Sequence, residues 1–296
     1  MNYRISVFTV AAALLAVAAT AQQQPSRKFN DAKGHTLTVA AKPMRIASTV
    51  LGVDENLLDL VDPSRIVAMT DIAKDTYVSN VAARIPAGKV MIKSEWQKIV
   101  DAKPDLVLTA TYTPTLADPL IKQKLPVYQF SEFGSVDALL KNFEILGQLV
   151  GEEQKAQEIL ARDRAVLANA AKKKPAAPTR ALYYSEGLIF GPGTVPSQIL
   201  TLAGLVDAAT DTKQAKTVKA TPELIERMRP DVIFFGEDSK SAEDETRAMF
   251  RKPEYQKIAV VKAGKVFALP GKHVTTTSHN IVKAVEDVQS LLGQAK

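Results

Sequence analysis

The chain is 296 residues long, 46% hydrophobic and 24% charged, with a formal net charge of +6 at pH 7. That length holds two domains with real cores, and that hydrophobic content excludes a disordered chain. Cys is absent, which excludes disulfides and thiol catalysis, and the Lys and Arg are scattered without interleaved aromatics, so the charge reads as a solvated basic surface and no nucleic-acid partner is expected.

The first 21 residues read as an export signal: Arg4, an apolar run from Val7 to Ala19, and the small-residue site Ala19-Thr20-Ala21. Cleavage after Ala21 would leave Gln22 as the mature N-terminus. The run is short for a membrane span, and no Cys stands at the processing site to carry a lipid. The expected location is the periplasm.

Asp31-Ala32-Lys33-Gly34 is a turn, followed by a hairpin arm from His35 to Ala40. A buried strand, Arg45 to Thr49, a helix, Gly52 to Val61, and a strand, Ile66 to Thr70, come next. Asp71 to Lys93 is a long polar segment without period, and loops of that length tend to be functional. Ser94 is placed to cap a helix through Ala102. Leu106 to Thr111 is a strand, Pro114 to Lys124 a helix, Val127 to Phe130 a strand and Ser135 to Val150 a helix.

Glu152 to Lys174 has no Gly or Pro, is bounded by Gly151 and Pro175, and carries acids at its start and lysines at its end. It predicts one helix of roughly 35 Å. Beyond it come a strand (Arg180 to Ser185), a loop (Gly187 to Gly193) and helices from Pro196 and from Thr221-Pro222-Glu223. A strand (Val232 to Phe235), a helix (Ala242 to Phe250), a strand (Lys265 to Leu269) and a closing helix (Thr277 to Leu292) follow. One local phrase appears on both sides of the long helix: Trp96 to Ala110 reads WQKIVDAKPDLVLTA, and Glu223 to Glu237 reads ELIERMRPDVIFFGE. The expected fold is therefore α/β: two lobes (22–150 and 175–296), each with a mostly parallel sheet flanked by helices, joined by a single long helix at 151–174.

Ligand loops in such sheets lie beyond the carboxyl ends of the strands. Tyr112 follows one strand end, Tyr77 sits in the long polar loop, and Tyr184 ends the first strand of the second lobe. A Tyr can stack on a flat ligand while its hydroxyl makes a hydrogen bond. Lys272 and His273 lie in the loop after the last strand. The three histidines, His35, His273 and His279, do not read as a convergent metal site, so no metal centre and no cofactor of the protein's own is expected. His279 is expected on the closing helix without a functional role, and Trp96 is expected to pack. Nucleophile-elbow, HExxH and P-loop motifs are missing, and the chain is not expected to be an enzyme.

The chain resembles the helical-backbone periplasmic binding proteins that serve ATP-binding-cassette (ABC) importers of ferric siderophores, haem and cobalamin. The resemblance rests on Arg45-Ile46-Ala47-Ser48, on Ile99 to Val107, on the helix with Leu146-Gly147-Gln148-Leu149-Val150-Gly151, on Gly191-Pro192-Gly193-Thr194, on Leu202-Ala203-Gly204, on Glu223 with Arg229-Pro230-Asp231, and on Gly264-Lys265-Val266. It implies a monomeric receptor that holds a metal chelate between its lobes, with Tyr77, Tyr112, Tyr184, Lys272 and His273 as candidate ligand contacts. In that family a glutamate on each lobe docks on the permease. Glu223 matches the second-lobe position, while the first-lobe position holds Gln97, with Glu95 two residues earlier. Thr111-Tyr112-Thr113-Pro114 stands where the haem branch often has an acid and Ala-Gly-Pro, and Thr49-Val50-Leu51 where bare-metal relatives keep a histidine. Haem and bare-metal receptors, a sensor subunit and an enzyme reusing the fold stay open as alternatives.

Overall fold

A computed structural model describes residues 25–173, 175, 177–212 and 216–294. The expected signal segment lies outside the described residues, and so does Lys174, where the long helix was expected to end. No helix among the described residues is long and apolar enough to cross a membrane.

The first lobe opens with an antiparallel hairpin, β1 (Ser26–Asn30) and β2 (Thr36–Ala40). Then follow β3 (Ile46–Ser48), α1 (Leu51–Leu60), β4 (Ile66–Thr70), β5 (Val90–Ile92), α2 (Trp96–Asp101), β6 (Leu106–Ala110), α3 (Pro114–Lys122), β7 (Val127–Phe130) and α4 (Val136–Val150). Strands β3 to β7 form one sheet in the order β5-β4-β3-β6-β7, parallel throughout. Gly151, with φ +72°, ends α4 in the left-handed conformation. A Cβ there would overlap the Ala41 carbonyl oxygen.

The linking helix α5 (Glu153–Lys172) begins one residue later than expected, because Glu152 serves as its cap position. The Glu152 carboxylate instead receives the Arg65 guanidinium at 2.6 Å. Arg65 also donates to the carbonyls of Pro43 and Val150. Arg27 pairs with Glu153 and reaches Ala41. The start of the linker is thus fastened to the first lobe.

The second lobe runs β8 (Arg180–Ser185), β9 (Leu188–Phe190), α6 (Val195–Leu202), β10 (Val206–Asp207), β11 (Thr217–Lys219), α7 (Pro222–Met228), β12 (Val232–Phe235), α8 (Lys240–Phe250), α9 (Pro253–Gln256), α10 (Ala259–Lys262), β13 (Val266–Ala268), α11 (Gly271–Val274) and α12 (Val282–Gln294). Its sheet has the order β11-β9-β8-β12-β13, and β10 also pairs with β8. The pairs β8–β12, β12–β13 and β8–β10 are parallel. The expected loop at 187–193 instead contains β9, which turns back antiparallel on β8. Glu186 and Gly187 have φ of +48° and +79°, the conformation a tight hairpin needs.

The shared sequence phrase has a shared structure. Asp105 accepts from the Met44 and Arg45 amides, and Arg45 donates back to the carbonyls of Ala102 and Lys103. In the second lobe Asp231 accepts from the Arg180 amide, and Arg180 donates back to the carbonyls of Met228 and Arg229. Each Arg–Asp pair ties the start of a lobe's first parallel strand to the turn entering its neighbour. Lys103 and Arg229, each before a Pro, have φ of +48° and +47°.

Two expected boundaries move. Ser94 does not cap α2: Glu95 holds the cap position, and its carboxylate takes the Lys93 and Ser94 amides. The closing helix starts at Val282 rather than Thr277. The segment before it is a buried 3₁₀ turn, His279–Ile281, capped by Ser278 and tied by hydrogen bonds to α1. His279 is therefore buried in that turn and not carried on the helix.

Candidate functional site

Helix α1 enters at the carboxyl end of β3 and places three consecutive polar residues, Asp54, Glu55 and Asn56, in the interior. Glu55 faces the second lobe. Its carboxylate accepts from the Asn80 amide and side chain, from Thr276 Oγ1 at 2.7 Å and from Ser278 Oγ at 2.5 Å. Asn56 Oδ1 accepts the His279 amide. Gly52 is required here, since a Cβ would lie 2.6 Å from the backbone carbon of Thr277. The long polar loop extends this seam. Asn80 Nδ2 donates to the Lys272 carbonyl at 2.6 Å, and the Tyr77 hydroxyl donates to Glu243 Oε2 at 2.8 Å on α8. On the other flank Gln198 of α6 accepts from the Val136 amide and donates to the Gly134 carbonyl. The carboxyl ends of the two sheets therefore face each other, joined by hydrogen bonds at both flanks.

Between the flanks the first lobe presents Tyr112 and Ile72 over a largely buried row of threonine hydroxyls. Thr49 Oγ1 donates to Thr109 Oγ1 at 2.9 Å, and Thr109 meets Thr113 Oγ1 at the same distance. Tyr112, just past β6, is 59% exposed and sets its ring edge-on to Phe133 at 5.3 Å. Ile72, just past β4, is 48% exposed. Partial burial raises the Tyr112 pKa.

The expected contact residues do not form one cluster. Tyr77 and Lys272 both lie at the seam, where the Tyr77 ring lies against Gly271 and Asn80 holds the Lys272 carbonyl. Burial, then the Glu243 hydrogen bond, raises the Tyr77 pKa well beyond its usual range. His273 follows in α11 and turns to α12, with Nδ1 at 2.5 Å from Asp287 Oδ2. Tyr112 stands apart from them, on the other side of β3. Tyr184 lies on the opposite face of its sheet from Tyr183. Its hydroxyl accepts the Gly187 amide at 3.0 Å and donates to Met249 Sδ. It lines a separate cavity of about 610 Å³ with Glu186, Glu237, Thr246 and Lys252. Burial raises the Glu237 pKa, against hydrogen bonds from Thr246, Ser185 and the Glu186 amide.

The expected docking residues are all on the surface. Glu223 is exposed in the first turn of α7, which Thr221 caps. Glu95 is held at a pKa of about 2, by Lys98 first and then by the amides it caps. Gln97 donates to Asp101.

Sequence reasoning missed Asp54, Glu55, Asn56 and His279. A signal existed: a run of three polar residues inside a helix whose other positions are mostly apolar. Among the described residues no group of three or more His, Cys, Asp or Glu is placed to hold a metal ion. His279 does touch two carboxylates, but on opposite ring nitrogens, so they do not converge.

A family model described as periplasmic binding protein matches residues 46–273. No curated protein matches. Among solved structures, a possible iron-binding (periplasmic solute-binding) protein from Staphylococcus epidermidis is 20% identical, covers 85% of this chain and 99% of its own, and has a TM-score of 0.70. The periplasmic haem-binding protein RhuT from Roseiflexus sp. RS-1 is 18% identical, with 85% and 98% covered and a TM-score of 0.71. Helicobacter pylori CeuE, solved as a Ni-His complex, is 16% identical, with 92% and 90% covered and a TM-score of 0.71. At these identities the likeness is one of fold.

Proposed function

Because the chain belongs to the periplasmic binding protein family, we propose that it captures a metal chelate, a ferric siderophore or cobalamin, in the cleft between its lobes and delivers it to an ABC importer. The observation that carries this reading is the exposed Tyr112 ring, braced by Phe133 where the carboxyl ends of the two sheets face each other. An exposed aromatic held by a fixed neighbour suits a bulky, coordinatively complete ligand, which needs contact area and a few hydrogen bonds. A neutral phenol serves such a ligand as a donor. Tyr77 and Lys272 close one flank of the cleft in this reading, and no covalent step is involved.

The partner in this reading is the importer's permease, met by a monomer through Glu223 on the second lobe and by Glu95 or Gln97 on the first. The test of the ligand is titration with cobalamin, ferric hydroxamates, ferric catecholates and haemin, followed by absorbance and native mass spectrometry. One of the first three should bind, and Tyr112→Ala should weaken it by about 1–3 kcal/mol. Saturable binding of haemin alone, or unchanged affinity in the variant, would overturn the reading. The same reading has residues 1–21 removed on export, so intact mass should place the mature start at Gln22. A retained Met1 in a membrane pellet would contradict it.

A further inference from the structure

Three parts of the molecule meet at one imidazole. His279 sits in the 3₁₀ turn before α12, in the second lobe's last segment. Its Nε2 lies 3.0 Å from Asp59 Oδ2 on α1 of the first lobe. Its Nδ1 lies 2.8 Å from Asp163 Oδ2, near the middle of the linking helix. The ring packs on Phe143 of α4 at 4.4 Å between centroids, and the residue is 4% exposed. We infer that His279 is a charge-dependent tie among those that set the angle between the lobes, and that the charge on its ring decides how many parts it joins. The inference is independent of which ligand the cleft takes.

The ring's protonation sets its number of donors. A neutral imidazole has one N–H and can satisfy one of the two carboxylates; an imidazolium donates to both. Losing the proton leaves one carboxylate facing a ring lone pair in a buried place, where an unmet charge is costly. The neighbours decide which arm is lost. Asp59 also receives Arg84 Nη1 at 2.6 Å, whereas Arg162 Nε stands 3.8 Å from Asp163 Oδ1. The neutral ring therefore keeps its N–H on Asp163 and releases Asp59, the arm to the first lobe. The other charged groups nearby do not replace it. Lys283 and Glu286, both exposed, line the rim of the same crevice of about 420 Å³. Glu55 already accepts from Asn80, Thr276 and Ser278.

Burial opposes a charged ring, but the hydrogen bonds and charges of Asp163 and Asp59 outweigh it, and the His279 pKa is raised above the ordinary 6.5. A group raised on folding stabilises the folded arrangement fully below its ordinary pKa and loses that contribution as pH rises through the folded value. The tie is engaged below the ordinary imidazole pKa and is lost as pH rises through the raised value.

The chain has no Cys, so Lys122→Cys on α3 and Lys257→Cys beyond α9, both exposed, give two unambiguous spin labels. Electron–electron distance measurement should show one narrow distribution at pH 6, shifting and broadening by pH 9.5. With His279→Gln added, the broad distribution should hold at every pH. A distribution unchanged in the unsubstituted pair, or a transition that survives His279→Gln, would overturn the inference. Imidazole nitrogen shifts of the protein without substitutions provide a check that needs no variant: a neutral His279 ring at pH 6 would also overturn it.

Discussion

Replacing Asp54 by Asn should make the protein more stable in alkali than in acid relative to its parent, and the size follows from the site. Asp54 is fully buried in the first turn of α1. Its Oδ2 accepts from the Thr70 amide at 3.0 Å and the Thr70 hydroxyl at 2.5 Å, while Oδ1 has no partner. Burial, against these hydrogen bonds and with the Glu55 charge added, raises its pKa from 3.8 to about 7. Below the unfolded value Asp54 is protonated in both states and costs nothing. Between the two values the cost grows by about 1.4 kcal/mol per pH step, and above the folded value it levels off at about 4 kcal/mol. Asn keeps an acceptor for Thr70 and carries no charge, but its amide then needs a partner, a penalty of about 1–3 kcal/mol that does not vary with pH. The pH-dependent part is the clean readout. Urea unfolding followed by circular dichroism at pH 5 and pH 8 should show Asp54→Asn gaining about 2–3 kcal/mol on its parent between the two conditions. An equal difference at both pH values would refute the reasoning.

Gly52→Ala should cost about 1–3 kcal/mol despite the better helix former, because the new methyl would press on the Thr277 and Ser278 backbone of the other lobe. A thermal midpoint equal to or above the parent's would show that the seam yields there. Glu223→Arg should leave chelate affinity nearly unchanged and slow uptake by the reconstituted importer, with less salt dependence; uptake at the parent rate would remove Glu223 from the docking surface.

Much of the architecture was legible because its determinants are local. The Lys-Pro-Asp and Arg-Pro-Asp phrases mark Asp105 and Asp231, which play the same part in both lobes. The linking helix follows from composition and from Gly151 and Pro175 at its ends. The candidate site was legible only in part. Tyr112 could be placed because a strand end fixes it. The roles of Tyr77, Glu55 and His279 depend on the partners Glu243, Thr276, Asp163 and Asn56, 116 to 223 residues away, and no local pattern reports such pairings. The hairpin strand β9 was hidden because Glu186, which lacks a glycine's freedom, adopts one of its two left-handed positions.

The seam between the lobes has a consequence for how the chain comes together during synthesis. Its first-lobe side, Gly52 to Asn80, is made early. Its second-lobe side is drawn largely from Lys272, Thr276, Ser278 and His279, which are made late. Because a chain is produced N-terminus first, the first sheet and the anchored base of α5 are complete long before those partners exist. Even β13, the last strand of the second sheet, precedes them. Completing the seam is therefore a late event, and a chain stopped just after β13 would keep the Tyr77–Glu243 and Gln198–Val136 contacts while lacking the ties made by Lys272, Thr276, Ser278 and His279.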